Sequence, residues 1–365
     1  MSELSLNYTA IGSVPYFEKN AADEALSFIF SEFKDIPFWP QLPHFTREED
    51  MVFQYTQNLC GLVVEENKFY LEQESEEFFT KLEELFFDYE TVLSSENLFE
   101  CEEILDKYSI SAPNSNAIEP FLTQLKNHKP KFVKGSITGP FTFSTSICEK
   151  DGKCAYYSEI LRDVCTKTLC LKALWQVKEF KKAQENATPI IFMDEPSISQ
   201  IGSCAFLSVE NNDVIEMLKT ISDALKKFGA ISGVHCCGKT DWALVFSSGI
   251  NVVNFDAFSF SKSVANYSKM VEEFLACGGW LAFGIIPTLD ETTLSELNLE
   301  GAIEAFEQSV KCFVDKGISK DLILKQSFIT PSCGCGSLSI KEAKHALTLT
   351  KELSQHLMTQ MKAGV

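Results

Sequence analysis

The sequence predicts an α/β fold, a TIM-type (β/α)8 barrel with an acidic helical insertion after the second strand. Two observations carry that expectation. First, short apolar runs alternate with longer stretches of helical periodicity along the 365 residues, the pattern of repeated strand-helix units. Second, nearly every apolar run ends in polar residues, glycine or proline, at Ser13, Gln41, Thr138, Asp194, His235 with Cys237, Asp256, Thr288 and Cys333. An open doubly wound sheet has the same periodicity. In a closed parallel barrel, however, these ends gather at one mouth, which is where such folds place their chemistry. No linker, low-complexity tract or short repeat divides the chain, so residues 1–365 are expected to form one domain.

In chain order, the first run is 8–14, ending in Ile-Gly-Ser-Val-Pro, and a helix over 21–33 follows, with Ala22, Leu26, Ile29 and Phe33 at helical spacing. The second run, 35–42, contains Pro37 and Pro40, which weaken it as a regular strand. A helical excursion over about 47–125 comes next. Its middle is rich in glutamate, and Phe78, Phe79, Leu82, Leu85 and Phe86 supply an apolar stripe. Six further runs, 132–137, 189–193, 230–234, 252–255, 280–286 and 326–330, alternate with helical patterns at 157–183, 209–228, 262–276 and 299–316. A last helix over 340–361 closes the chain.

Composition excludes several classes of function. The net charge is −19, and only Arg47 and Arg162 of the 32 basic residues are arginine. That balance repels nucleic acid and anionic membrane surfaces, and gives little means of gripping a ligand rich in carboxylates or phosphates. Thirteen cysteines scattered through a large chain, with no secretory signal at the start, imply free thiols in a reducing cytoplasm. No apolar stretch reaches the roughly 18 residues of a membrane span.

The run ending in Val-His-Cys-Cys-Gly, residues 234–238, carries the most specific chemistry. Side chains alternate along a strand, so His235 and Cys237 share a face while Cys236 points to the other side. An imidazole and a thiol thus converge at one strand end, and a zinc site needs at least a third ligand. Pro-Ser-Cys-Gly-Cys-Gly at 331–336 supplies it through Cys333, with Cys335 the alternative because Gly334 permits an unusual backbone path. Asp194 can instead cap the helix that follows it, Asp256 can orient a ligand instead of binding metal, and Ser13 can serve a turn. Of the remaining histidines, His44 lies nearest the predicted mouth.

Ile-Gly-Ser-Val-Pro at 11–15, Thr-Gly-Pro-Phe-Thr at 138–142, Asp-Glu-Pro at 194–196, His-x-Cys at 235–237 and Pro-Ser-Cys-Gly at 331–334 occur in an order that resembles the catalytic barrel of cobalamin-independent methionine synthase. More broadly, the chain is similar to the superfamily that includes uroporphyrinogen decarboxylase and the corrinoid-linked thiol methyltransferases. The resemblance implies zinc on His235, Cys237 and Cys333. The family's fourth ligand, a glutamate after the next strand, has Asp256 near its place. It also implies that Ile11, Gly12 and Ser13 hold the carboxylate end of homocysteine and that Asp194 orients its amino group. Gln41 joins them as a candidate at the mouth.

Two departures bear on the methyl donor. Ser146 stands where the family has a tryptophan beside the folate, and residues 284–290 lack the family's proton-donating histidine. With so few arginines for a polyglutamate tail, the resemblance points to a methylcorrinoid donor, free or on a partner protein. The expected activity is a zinc-dependent thiol S-methyltransfer that makes methionine from homocysteine. The alternatives are methyl transfer to another thiol such as coenzyme M, a decarboxylase of the uroporphyrinogen type, and a non-catalytic zinc barrel.

Overall fold

The computed structural model describes residues 4–65, 68–204, 206 and 208–363. Its centre is a curled parallel sheet. A small antiparallel ribbon of β1 (Leu62–Val64) and β2 (Phe69–Leu71) precedes it. The sheet itself comprises β3 (Phe132–Thr138), β4 (Thr188–Asp194), β5 (Ile231–Cys236), β6 (Val252–Asp256), β7 (Trp280–Ile286) and β8 (Ser327–Pro331), in that spatial order. These are the six later apolar runs of the sequence, displaced by at most two residues at either end. Each is followed by helix, so consecutive strands lie parallel and side by side.

Alternation along the strands sorts the residues into two cores. Phe132, Ile190, Phe192, Val252, Trp280, Ala282 and Phe328 pack together with Leu4 and Ile36 inside the curl. Their neighbours in sequence, such as Ile191, Met193, Val253, Phe255 and Phe283, face outward into the layer of helices. Gly233 is required by this interior, because a Cβ there would lie 2.5 Å from the Phe192 ring. Burying a Phe ring contributes about 1.5–3 kcal/mol, which exceeds the roughly 0.5–1 kcal/mol that glycine costs within a strand. The same period carries Lys134, Thr138, Asp194, His235, Asn254 and Thr330 onto the interior face, above the apolar floor.

The regular sheet has six strands among the described residues, not the eight expected. The two N-terminal runs make isolated bridges instead, pairing Tyr8 with Ile329, Ser13 with Gln41 and Phe38 with Lys134. Their hydrogen bonds nevertheless span the gap between β8 and β3. Thr9 N–H donates to Ile329 O at 3.1 Å, Gln41 N–H to Gly12 O at 3.1 Å, and Trp39 N–H to Lys134 O at 2.9 Å. The physical reason for the irregularity is local. Pro37 and Pro40 cannot donate to a ladder, and Gly12 takes φ of 150° to pass beneath Gln41.

The excursion is also less uniform than the sequence suggested. It opens with two short 3-10 turns, Arg47–Glu49 and Phe53–Tyr55, and with the β1–β2 ribbon, before the long helix Glu76–Ser94. Ser75 caps that helix through Phe78 N–H at 3.1 Å. Phe78, Leu85, Tyr89 and Val92 form its buried stripe, while Phe79 lies outside it and is exposed. The expected 262–276 helix is two helices, Ala257–Ala265 and Ser268–Ala276. All thirteen cysteines are free. No helix among the described residues is long and apolar enough to cross a membrane.

Candidate metal centre

Strand β5 delivers His235 to the interior, and Cys237 follows one residue beyond its end. Cys236 goes the other way into the core, where burial pushes its thiol up to about 12. The third side chain comes from the loop after β8, which is tied down at several points. Ser332 N–H donates to Ile286 O at 2.8 Å, and Cys333 N–H to Thr288 Oγ1 at 3.1 Å. Cys335 N–H donates to Ser13 O at 2.9 Å, and Gly336 N–H to Ser13 Oγ at 3.3 Å. Gly334 permits this wrap, since a Cβ there would lie 2.1 Å from Ser13 Oγ. Cys333 is thereby aimed at β5. Cys335 is buried in the apolar core, with its thiol pushed up to about 12.

The ligand atoms of His235, Cys237 and Cys333 all lie within 4.8 Å of one another, and among the described residues this is the sole such cluster. One imidazole nitrogen and two sulfurs are a donor set that suits zinc. The hydrogen-bond network independently prepares the imidazole. Asn254 is the strand partner of His235, and its amide nitrogen donates to Ala282 O at 2.9 Å and Thr330 Oγ1 at 2.8 Å. Both amide hydrogens are then used, so Oδ1 must accept from His235 Nδ1, 2.5 Å away. Nδ1 therefore carries a proton, and Nε2 is the nitrogen left to bind a metal. That Nε2 is buried and has no hydrogen-bond partner. A buried polar nitrogen without a partner is costly, and a metal ion shared with the two sulfurs would satisfy it.

The Cys333 S–H donates toward Cys237, and with His235 it holds the Cys237 thiol well below its ordinary range. Cys333, facing that developing thiolate in a buried setting, is held well above it. A zinc ion held by these three residues alone would have a fourth coordination position free, as in catalytic zinc sites.

Asp256 is not brought into the group. Its Oδ1 accepts from Ser259 N–H at 2.9 Å and caps the helix Ala257–Ala265. A helix begins directly after β6, and aspartate is one methylene shorter than the glutamate of the resemblance, so the local cap wins. Burial raises its carboxyl while the Ser259 hydrogen bonds oppose that rise.

A cavity of about 400 Å³ opens beside the three ligands and is lined by Ile11, Ser13, Gln41 and Asp194 as well. Gly12 does not line it but is needed below, since a Cβ would lie 2.2 Å from Gln41 Oε1. Gln41 Nε2 donates to Ser136 Oγ at 2.5 Å. Asp194 keeps part of its surface open to the cavity while its Oδ1 is enclosed with no hydrogen-bond partner. Burial pushes its carboxyl up to about 6, with His235 and Lys134 opposing.

Sequence reasoning missed several neighbours. Tyr55 reaches the cavity from the excursion and donates to Ser136 O at 2.9 Å, and Leu289 lines it too, as does His44, the histidine that the sequence placed nearest the mouth. Lys134 sits beneath, wholly buried, 4.5 Å over the Phe192 ring, and donates to Ile11 O at 2.5 Å. Burial brings its ammonium down to about 8, and Asp194 opposes that fall. Its phase with Phe132 and Thr138 was a usable signal for an inward lysine, as was the phase of Asn254 with Asp256.

The Asn254 contact is directly testable. Asn254→Ala frees the imidazole to turn and change tautomer, and zinc affinity is expected to fall about 10–100-fold, measured by competition with a chromophoric chelator. An affinity within about twofold of the parent would show that the asparagine does not set the ring.

No protein-family model matches the chain, and no curated protein matches it either.

Proposed function

We propose that the protein is a zinc-dependent thiol S-methyltransferase that converts homocysteine to methionine, with a methylcorrinoid as the donor, free or carried on a partner protein. The reading takes the six-stranded sheet and the bridged N-terminal runs together as one (β/α)8 barrel with its chemistry at the C-terminal strand ends. The observation that carries it is the convergence of His235, Cys237 and Cys333 on a cavity that also presents Asp194.

Zinc on these three residues would supply the Lewis acidity that keeps an incoming thiol deprotonated at neutral pH. The chain's own groups supply the rest. The carboxylate of Asp194, part of whose surface faces the cavity, suits a substrate ammonium. Ser13 Oγ accepts from Gly336 N–H, which leaves its own hydrogen free to donate to a substrate carboxylate. In the transfer, the acceptor sulfur forms a bond to the methyl carbon as the bond from carbon to donor breaks, and that electron pair leaves with the donor. The protein's task is to hold sulfur, methyl and leaving atom in line.

The same cavity weighs against the alternatives. Among the described residues its lining contains neither lysine nor arginine, and Lys134 below is engaged with Ile11 O. A sulfonate thiol such as coenzyme M, or a substrate with several carboxylates, would find no cation there. The exposed Ser146 at the end of the helix Pro140–Ser146 offers no ring against which a folate could stack.

The test is to load the purified protein with zinc, supply homocysteine with methylcobalamin or methyltetrahydrofolate, and measure methionine. Methionine is expected from methylcobalamin. Asp194→Asn is expected to raise KM for homocysteine roughly 10–100-fold, from the loss of a charged hydrogen bond. Absence of methionine with zinc bound would overturn the reading, and substantial transfer from methyltetrahydrofolate would overturn the donor assignment.

A further inference from the structure

Outside the metal centre, one pair of thiols is placed for chemistry. The segment Ile147 to Ala155 is a tight hairpin that follows the helix Pro140–Ser146, with Gly152 at φ of 90° in its turn. Ala155 N–H donates to Ile147 O and Glu149 N–H to Lys153 O, both at 2.8 Å. These bonds flank Cys148 and Cys154, which face each other across an antiparallel bridge. The two cysteines therefore form a non-hydrogen-bonded pair, the type in which opposed Cα atoms come closest, about 4.5 Å. That separation falls within the roughly 4.4–6.8 Å span of disulfides. Their sulfurs are 3.4 Å apart, so rotation about the side-chain bonds brings them to bonding distance with the backbone left in place.

Both thiols are half-buried, which leaves them within reach of a small oxidant. Neither takes part in the metal cluster. The hairpin also has a mechanical position. Leu71 N–H donates to Cys148 O at 2.9 Å, Leu71 is bridged to Glu149, and Gln73 Nε2 donates to Glu149 Oε1 at 2.7 Å. It is one of the joints that tie the β1–β2 ribbon to the rest of the fold.

We propose that Cys148 and Cys154 are a reversible redox pair, oxidised by a low-molecular-weight disulfide to an intramolecular disulfide that staples this joint. Cys148 S–H donates to the Cys154 sulfur, which ties up the Cys148 proton, and the first attack is assigned to Cys154. Cys154 sulfur attacks one sulfur of the oxidant, a mixed disulfide forms, and the first small thiol leaves with a proton. Cys148 then attacks Cys154 sulfur, gives up its proton, and displaces the second small thiol. Two electrons and two protons pass from the pair to the oxidant.

The folded, zinc-loaded protein is equilibrated in oxidised and reduced glutathione, quenched in acid, alkylated, digested and mapped by mass spectrometry. The expected result is a Cys148-to-Cys154 linkage that dithiothreitol reverses. Cys148→Ser is expected to trap glutathione on Cys154, while Cys154→Ser leaves Cys148 free. The proposal is overturned if both thiols alkylate fully in the native protein at excess oxidised glutathione, or if a stable glutathione adduct forms with no internal linkage.

Discussion

Cys237→Ser is expected to yield a folded protein that no longer retains zinc through dialysis and has no measurable methyl transfer. Serine keeps the size of the side chain but replaces a soft, readily ionised sulfur with a hydroxyl that stays protonated, and zinc sites of this kind draw their affinity from the thiolate. Removing a direct ligand should exceed the roughly 10–100-fold penalty of losing an outer hydrogen-bond partner. The decisive control is the adjacent residue. Cys236→Ser puts a hydroxyl into an apolar core and is expected to cost about 1–3 kcal/mol of stability, with full metal content retained. Metal analysis and urea unfolding on the two variants read these effects separately. Zinc held by Cys237→Ser but lost from Cys236→Ser would place the site on the opposite face of β5.

That contrast between neighbours was legible in the sequence, because the period of two along a strand decides it. So were the six strands of the sheet, whose apolar runs sit between helical patterns and end in polar residues. Choices made by partners distant in sequence were not legible. Cys333 was preferred over Cys335 from the sequence, but the physical reason, the bonds of their loop to Thr288 and Ser13 that send one to the cluster and the other to the core, was not legible there. Asp256 had two plausible partners, and a helix starting at the next residue settles which it takes. Asn254 acquires its role from registry with His235 and from two acceptors on the adjoining strands. The N-terminal runs read as strands because apolarity marks burial, whereas ladder formation also needs N–H donors that Pro37 and Pro40 lack in the second run and a regular backbone that Gly12 breaks in the first. The β1–β2 ribbon was hidden inside a segment whose charge and periodicity suggested helix throughout.

Two motifs that invited a functional reading hold each other in place, and this predicts the largest loss of stability away from the metal. Glu195 of Asp-Glu-Pro is fully buried, and its carboxylate accepts from Phe141 N–H at 2.9 Å, Thr142 N–H at 2.8 Å and Thr142 Oγ1 at 2.6 Å. Those donors belong to the first turn of the helix after β3, within Thr-Gly-Pro-Phe-Thr. Gly139 has an ordinary extended backbone, φ −64° and ψ 151°, so its requirement is not conformational. It is steric, because a Cβ would lie 2.2 Å from Glu195 Cγ and Cδ. Gly139→Ala must therefore displace a buried carboxyl group and strand its donors, at an expected cost of about 2–4 kcal/mol in urea unfolding. A double-mutant cycle separates this mechanism from general crowding. Glu195→Ala alone should also destabilise, by leaving buried N–H groups unpaired, but adding Gly139→Ala to it should then cost less than about 0.5 kcal/mol. Strict additivity of the two substitutions would show that the glycine is needed for some reason other than the carboxylate packed against it.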